Sequence, residues 1–348
     1  PVVRLDLEIL LRQLFFVRPY ETLFILSMTH HEYVGISSSQ QQSGIGNQQQ
    51  QNLNSVKASL YAQHARVDQQ LADIDKQRTE GDRAYSDGYG RAYRLESFHR
   101  SAHWPEVMDM IEKIVGKPIM PHPQKVARIW FPQYTDHTTP THQDFVHFQG
   151  SFDTLTCWAP VGDCPVELGG LAVIPGSHKV DRVLDHHFSL GAGGLVVDET
   201  AHEEIDPVWH STDYEMGDTL IFPALTVHKA LPNYTEDQLR LSLDNRYQAV
   251  GDSIAEHMLE PHGPSGLSWE QIYPDWSSDD LKHYWRAYEN PVVPRDMHFS
   301  DQGFAEALEL ARGGNEHAVF RMQRTVANDP DSAYGQQARA MLAEAGLA

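Results

Sequence analysis

The stretch DTLIFPALTVHKALPNYTEDQLRLSLDNRYQAV (218–250) contains two apolar runs separated by the turn signal PNYTED. Apolar runs of this kind are typical of β-strands, and a turn signal between two of them predicts a hairpin. His228 and Arg240 lie symmetrically about Tyr234 and would lie nearly opposite each other in that hairpin. The sequence therefore predicts a sheet that brings an imidazole and a guanidinium together.

Short strand-like runs of the same kind occupy residues 125–250, with Gly, Pro, Asn and Asp between them. They include KVARIWF, DTLTCWAPV, LAVIPGS and GGLVV. Many short strands with turn signals and no alternating helices indicate an antiparallel sandwich or barrel. We predict a mainly β protein with flanking helices, built on a double-stranded β-helix core of the jelly-roll, cupin-like type.

Three segments are predicted along the chain. Residues 1–55 form an N-terminal segment whose Gln/Ser-rich stretch, 37–55, has too few apolar groups to offset its ordering entropy and is expected to be flexible. Residues 56–265 form the jelly-roll domain, entered by an amphipathic helix at 56–77. Residues 266–348 are expected to form a helical extension packed on that core.

The charge of the chain limits its partners. The 348 residues include 27 Lys+Arg and 48 Asp+Glu, a net charge of -21. This charge repels phosphate backbones and anionic membrane surfaces, so we expect neither nucleic acid nor a membrane as a partner.

The cysteine content and the apolar runs indicate the compartment. Cys157 and Cys164 are too few for a disulfide-stapled secreted protein, which favours a reduced, cytoplasmic setting. The apolar stretch 11–28 is interrupted by Arg, Pro and Glu, and it is shorter in uninterrupted length than the roughly 18 to 20 residues that span a bilayer. It also lacks a small-residue cleavage site, so we expect no signal peptide.

A second stretch, PTHQDFVHFQG (140–150), places two histidines and an aspartate in a strand-like context. Along a strand, His142 and Asp144 point to the same side and Gln143 to the other, so the pair could share one metal ion. His228 is the candidate third ligand. Two imidazoles and one carboxylate on one face of a metal leave the opposite face open, as in non-haem Fe(II) oxygenases.

Arg240 suits a second task in such an enzyme. An iron enzyme that uses 2-oxoglutarate must anchor the distal carboxylate of that cosubstrate, and a guanidinium is always charged and binds carboxylates in a bidentate way. Ser242 faces the same side two residues later and offers a hydroxyl donor.

Together these residues resemble the phytanoyl-CoA dioxygenase family of Fe(II)- and 2-oxoglutarate-dependent oxygenases. The resemblance covers about residues 120–250, and its motifs are His142-Gln143-Asp144, Trp158, Gly169-Gly170-Leu171, Pro175-Gly176-Ser177-His178-Lys179, Gly217-Asp218, His228 and Arg240. It implies iron ligation by His142, Asp144 and His228, and binding of the distal carboxylate of 2-oxoglutarate by Arg240. It also implies that Trp158 lines the cofactor pocket.

One departure from the family pattern concerns the residues after His228. Many members have a small residue and then a serine there, whereas this chain has Lys229 and Ala230. Ser242 is the candidate to replace the serine's contact with the cofactor.

The resemblance also implies a reaction. Related halogenases have Ala or Gly in place of the aspartate, so Asp144 favours oxygen insertion over halogenation. The expected reaction uses O2, converts 2-oxoglutarate to succinate and CO2, and hydroxylates a small organic substrate; desaturation and ring closure would use the same residues. Two alternatives stay open, a jelly-roll metalloenzyme that does not use 2-oxoglutarate and a non-catalytic binding homologue.

Overall fold

The structure, a computed structural model, describes residues 24–25, 83–135 and 138–347. The predicted flexible stretch at 37–55 and the predicted helix at 56–77 lie outside these residues.

Short strands dominate the middle of the chain, as the turn-punctuated pattern predicts. They are β1 (Phe24–Ile25), β2 (Ile119–Pro121), β3 (Val126–Trp130), β4 (His142–Gln143), β5 (Leu155–Pro160), β6 (Leu171–Val173), β7 (His187–Phe188), β8 (Leu195–Val196), β9 (Leu220–Pro223), β10 (Val227–Ala230), β11 (Arg240–Ala249), β12 (Ile254–Ala255) and β13 (Val292–Val293).

The large sheet has the strand order β1-β9-β5-β11-β2, and β3 also pairs with β11. β11 is its longest strand, and it pairs antiparallel with β5 on one edge and with β3 and then β2 on the other. Because side chains alternate along a strand, Arg240, Ser242, Asp244 and Arg246 point to the same face. All four are buried, so one face of β11 carries a buried polar row.

The small sheet has the order β4-β10-β6, and both of its pairings are antiparallel. His228 on β10 lies directly opposite His142 on β4. The remaining pairs are β7 with β8, antiparallel, and β12 with β13, parallel. The prediction of antiparallel sheets with flanking helices is confirmed, and closure into a double-stranded β-helix stays a prediction.

The predicted hairpin between residues 220–228 and 239–247 is wrong. Its first half is two strands, since β9 ends at Pro223 and a turn follows in which the Thr226 amide donates to the Pro223 carbonyl. β10 then joins the small sheet, whereas β11 belongs to the large sheet. The PNYTED segment carries the chain from one sheet to the other, and its Tyr234 amide donates to the Glu167 carbonyl outside the loop.

Helices occupy both ends of the described chain. They are α1 (Arg83–Tyr93), α2 (Glu96–Arg100), α3 (Pro105–Val115), α4 (Phe145–Phe148), α5 (Trp269–Ile272), α6 (His298–Arg312), α7 (Glu316–Asn328) and α8 (Ala333–Glu344). None of the helices in the described ranges is both long enough and apolar enough to cross a membrane.

The C-terminal end of the described chain contains three helices, and the helical extension packed on the core over residues 266–348 stays a prediction. From Phe304 onwards the chain is helical, with side-chain caps at Asn315 before α7 and Ser332 before α8. Residues 268–291, also predicted as helical, form only the single turn α5 and a 3-10 turn at Tyr284–Ala287. Trp269, Trp276 and Trp285 of this stretch are buried in the same cluster as Tyr93 and Phe98, because aromatic packing rather than helix periodicity places them. The boundary at residue 265 stays a prediction.

Candidate metal centre and its adjoining pocket

The structure brings His142, Asp144 and His228 together. Their ligand atoms all lie within 4.8 Å of one another. Nε2 of His142 is 3.5 Å from Oδ1 of Asp144, and Nε2 of His228 is 3.9 Å from the same oxygen. All three side chains are buried, at 3 to 4% exposure. The cluster therefore has the donor set and spacing that a single divalent metal ion needs.

The local backbone at this cluster differs from the predicted strand. β4 ends at Gln143, and Asp144 has the helical dihedral angles φ -62° and ψ -27° at the start of α4. The pleat therefore does not place His142 and Asp144 on one side; the turn into α4 does. Gln143 points elsewhere, as predicted, and its buried amide donates to the Leu225 carbonyl and accepts from the Leu184 amide.

Each imidazole is held by a hydrogen bond from its other ring nitrogen. Nδ1 of His142 lies 2.7 Å from the Pro140 carbonyl oxygen, and Nδ1 of His228 lies 2.9 Å from the Thr226 carbonyl oxygen. Because a carbonyl only accepts, Nδ1 carries a proton in each ring, and the tautomer that this hydrogen bond selects leaves the lone pair of Nε2 for a metal. Burial and the neighbouring His142 lower the pKa of His228 to about 3, so His228 is a neutral ligand.

Asp144 is kept charged by its neighbours. Thr156 Oγ1 donates to Oδ2 at 2.6 Å, and Nη2 of Arg246 lies 3.3 and 3.4 Å from the two carboxylate oxygens. Burial alone would raise the pKa of Asp144, but the Arg246 charge and the adjacent His142 and His228 hold it well below its usual range. A buried anion beside two imidazole lone pairs fits a divalent cation such as Fe(II).

A pocket adjoins the triad. Both sheets contribute to its wall, which comprises Arg128, Trp130, Thr139, His142, Asp144, Thr156, Trp158, Leu171, Phe222, His228, Ala230, Arg240 and Asp244. His228 and Arg240 therefore face the same space from different sheets. These two side chains therefore meet across a pocket between two sheets, and not across the predicted hairpin.

The Arg240 end of the pocket is cationic, and its side chains are buried. Arg240 is 1% exposed, its Nη1 donates to Ser242 Oγ at 2.6 Å, and its guanidinium lies 4.7 Å from the centroid of the Trp130 ring. Trp158 closes the other side at 5.8 Å. The buried indole N–H groups of Trp130 and Trp158 find no acceptor among the described residues. A buried cation beside two indole donors fits the carboxylate of a ligand.

The predicted cofactor residues have different positions in this pocket. Trp158 and Arg240 line it. Ser242 does not, and it contacts Arg240 instead, so its hydroxyl orients the guanidinium and still has a proton to donate.

Several site residues were not assigned a role from the sequence. Thr156 and Arg246 hold Asp144, the Phe222 ring packs 4.5 Å from the His228 ring, and Asp244 pairs with Arg128 at 3.4 Å. A signal for two of them was present, because Asp244 and Arg246 continue the alternation that begins at Arg240 and Ser242.

Comparisons with known proteins identify a family and two hydroxylases to which this chain is similar. The family model described as phytanoyl-CoA dioxygenase (PhyH) matches residues 49–241, more than half of the 348-residue chain. The chain is 29% identical over 167 residues to 1-deoxypentalenic acid 11-beta-hydroxylase of Streptomyces arenae, a match covering 45% of this chain and 59% of that protein. The corresponding hydroxylase of Streptomyces exfoliatus is 28% identical over 173 residues, with the same coverage. The matched region spans 59% of the length of each of these relatives.

One solved structure with a partial likeness is the epimerase SnoN in complex with Fe3+, alpha ketoglutarate and nogalamycin RO. It has a TM-score of 0.38 and 22% identity, and the match covers 57% of this chain and 73% of that one.

Proposed function

The chain belongs to the phytanoyl-CoA dioxygenase family, as its motifs predicted, and from this premise we propose that it is an Fe(II)- and 2-oxoglutarate-dependent dioxygenase that hydroxylates a small organic substrate. The observation that carries the proposal is one buried pocket that joins the His142–Asp144–His228 cluster to the Arg240 guanidinium. Neither feature alone requires a 2-oxo dicarboxylate; together they suit one, because its two ends need a metal and a cation.

Three residues would hold the metal. His142 and His228 offer Nε2, and Asp144 offers a carboxylate oxygen. With 2-oxoglutarate bound, Fe(II) supplies oxygen activation, coupled to decarboxylation of 2-oxoglutarate to succinate and CO2. Arg246 and Thr156 fix the orientation of the Asp144 carboxylate and keep it unprotonated.

The opposite end of the pocket would hold the cosubstrate. Arg240 binds the distal carboxylate, Ser242 holds the guanidinium in place, and the rings of Trp130 and Trp158 exclude water from this ion pair. An ion pair shielded from water is stronger than an exposed one, so this end selects a dicarboxylate. The same argument disfavours a metalloenzyme without 2-oxoglutarate, which has no dicarboxylate to anchor.

The substrate class is inferred from the relatives and from the pocket wall. The named substrate of the two Streptomyces relatives is a carboxylic acid, 1-deoxypentalenic acid. In this chain the pocket wall includes Arg128, which pairs with Asp244, beside apolar Leu171 and Phe222. A small, largely apolar organic molecule with one polar group suits such a wall. We also infer that the two sheets that flank the pocket form a double-stranded β-helix core.

The test is succinate formation from 2-oxoglutarate under air with added Fe(II) and ascorbate. Wild-type protein is expected to form succinate slowly even without the organic substrate. His228→Ala should abolish it, because one of three metal ligands is gone, whereas His317→Ala, an exposed histidine on α7, should not change it. Equal succinate formation in wild type and His228→Ala, or none in wild type with iron bound, would contradict the proposed function.

A further inference from the structure

The hairpin of β7 and β8 packs its tip, residues 189–194, against the metal-binding segment. At Gly191 an added Cβ would lie 2.4 Å from the Thr138 carbonyl oxygen, and at Gly193 it would lie 3.0 Å from Nε2 of His147. The φ angles of these two glycines are 137° and 92°, values that other residues rarely adopt. Glycine is therefore required for the tip to come this close.

Ala192, between these glycines, is turned into the protein. It is 6% exposed and belongs to the same apolar cluster as Trp130, Trp158 and Leu171, which line the pocket. Next to it, the His147 ring that Gly193 touches lies 5.3 Å from the His142 ring. The tip therefore lies behind the residues that line the pocket, and the His147 ring connects it to His142.

The C-terminal helix α6 holds this hairpin at its base. Glu306 accepts a hydrogen bond from the Phe188 amide at 2.6 Å, and its other oxygen lies 3.1 Å from Nδ1 of His187. Gly303, one turn earlier, packs so closely on Leu195 that a Cβ there would lie 2.8 Å from Leu195 Cδ2. Both strands of the hairpin are thus fixed to one face of α6.

A second contact joins α6 to the ligand segment itself. Gln302 donates to the His186 carbonyl at 3.1 Å, and the His186 Nε2 accepts from the Gln143 amide, between the two ligands, at 3.2 Å. Nδ1 of His186 donates to the Leu184 carbonyl, which leaves Nε2 as the acceptor. Through these two hydrogen bonds, α6 fixes the position of the hairpin relative to the metal centre.

We propose that α6, through Glu306, clamps the β7–β8 hairpin behind the wall of the substrate pocket, and that Ala192 at its tip positions the wall residues and so limits the size of the molecule that reaches the metal. This inference rests on the proposed function for the identity of the metal site. It gives the C-terminal helices a role in substrate selection and makes Ala192 a positioning residue for the pocket wall.

The test measures access by size, since the substrate is not identified. Protein loaded with Fe(II) under anaerobic conditions is mixed with 2,2′-bipyridine or with the bulkier bathophenanthroline disulfonate, and the rate of coloured complex formation is recorded. Wild type should react faster with the smaller chelator. Glu306→Ala should raise the rate with the bulky chelator about tenfold, because charged hydrogen bonds that close the hairpin are lost. Ala192→Leu should lower it.

The controls separate a local effect from general loosening. Glu309→Ala is the control for Glu306→Ala, because it removes from the same helix a carboxylate that pairs with Arg312 at the solvent-exposed surface. Ala201→Leu is the control for Ala192→Leu, because it adds the same bulk at an exposed position. Both should match wild type. Glu306→Gln, which keeps the shape and removes the charge, replaces Glu306→Ala if the latter fails to fold, and an intermediate rate is expected.

Amide hydrogen exchange tests the clamp by a second measurement that needs no iron. Residues 187–196 should exchange faster in Glu306→Ala than in wild type, and those of β5 should not. Unchanged exchange in the hairpin overturns the clamp, and equal acceleration with both chelators overturns the size limit. If wild type retains no Fe(II), the proposed function fails, and the exchange result alone decides whether Glu306 holds the hairpin.

Discussion

The two ends of the pocket differ in how far the protein itself completes them. At the metal end, the second nitrogen of each imidazole and both oxygens of Asp144 already have partners in the chain. At the Arg240 end, the indole N–H groups of Trp130 and Trp158 have no acceptor in the described part of the chain. The metal end is therefore preorganised by the protein, whereas the Arg240 end keeps donors for the anion that we propose binds there.

The difference has an energetic meaning. A buried donor without an acceptor costs about 1 to 3 kcal/mol, and a ligand that supplies the acceptor recovers this energy. Substitutions at the metal end should consequently weaken metal binding with or without 2-oxoglutarate. Substitutions at the Arg240 end should weaken 2-oxoglutarate and leave the metal in place.

The largest effect is expected for Asp144→Ala. This change removes the only anionic ligand of the triad, so metal affinity should fall by more than the roughly 100-fold that loss of a ligand-orienting neighbour costs. Co(II) competition against a fluorescent chelator measures it. Asp153→Ala, an exposed aspartate, is the matched control. Metal affinity within a few-fold of wild type would mean that Asp144 is not a ligand.

The second largest effect is expected for Arg240→Ala, and it should be confined to 2-oxoglutarate binding at the Arg240 end of the pocket. Loss of the charged hydrogen bonds to the distal carboxylate should weaken 2-oxoglutarate binding about 10- to 100-fold. Calorimetry with the Co(II) protein under anaerobic conditions measures this, and Co(II) affinity itself should not change. Arg240→Lys should recover only part of the loss, because an ammonium cannot bind both oxygens as a planar fork does. An equal loss of Co(II) affinity and 2-oxoglutarate affinity would contradict the distinction between the metal end and the Arg240 end of the pocket.

Arg246→Gln tests the metal end separately from the Arg240 end. Arg246 touches Asp144 and does not line the pocket, so metal affinity should fall about tenfold while 2-oxoglutarate affinity at saturating metal stays unchanged. The same Co(II) competition and calorimetry report both values. A change only in 2-oxoglutarate affinity would show that Arg246 belongs to the cosubstrate end.

Trp158→Phe should have the smallest effect. The ring remains beside Arg240 and only the indole donor is lost, so 2-oxoglutarate should bind about three- to tenfold more weakly, the net cost of one hydrogen bond. Trp209→Phe, whose ring stacks under Lys229 away from the pocket, is the control. An unchanged 2-oxoglutarate affinity in Trp158→Phe would mean that the indole N–H does not meet the ligand.

The sequence predicted the residues of the site better than the path of the chain between them. His142, Asp144, His228 and Arg240 were selected because few residue types can bind a metal or a distal carboxylate. The hairpin that was expected to join His228 to Arg240 is wrong, since strand periodicity does not specify which strand becomes the partner. β10 and β11 pair in different sheets, and only the tertiary structure decides that.

The roles of Arg246 and Ala192 were beyond sequence reasoning for a related reason. Arg246 shares a face with Arg240, which alternation shows, but its contact with Asp144 depends on how β11 and α4 pack. Ala192 carries no chemical group that would mark it. Its position follows from the long-range contacts between the β7–β8 hairpin and α6.

The central claim is that the triad and Arg240 form one site for Fe(II) and 2-oxoglutarate, and anaerobic titration of the Fe(II) protein with 2-oxoglutarate tests it most directly. The account predicts a weak visible charge-transfer band as the keto acid chelates iron, absent in His142→Ala and reached only at higher 2-oxoglutarate concentration in Arg240→Ala. Iron bound with no band at any 2-oxoglutarate concentration would contradict it.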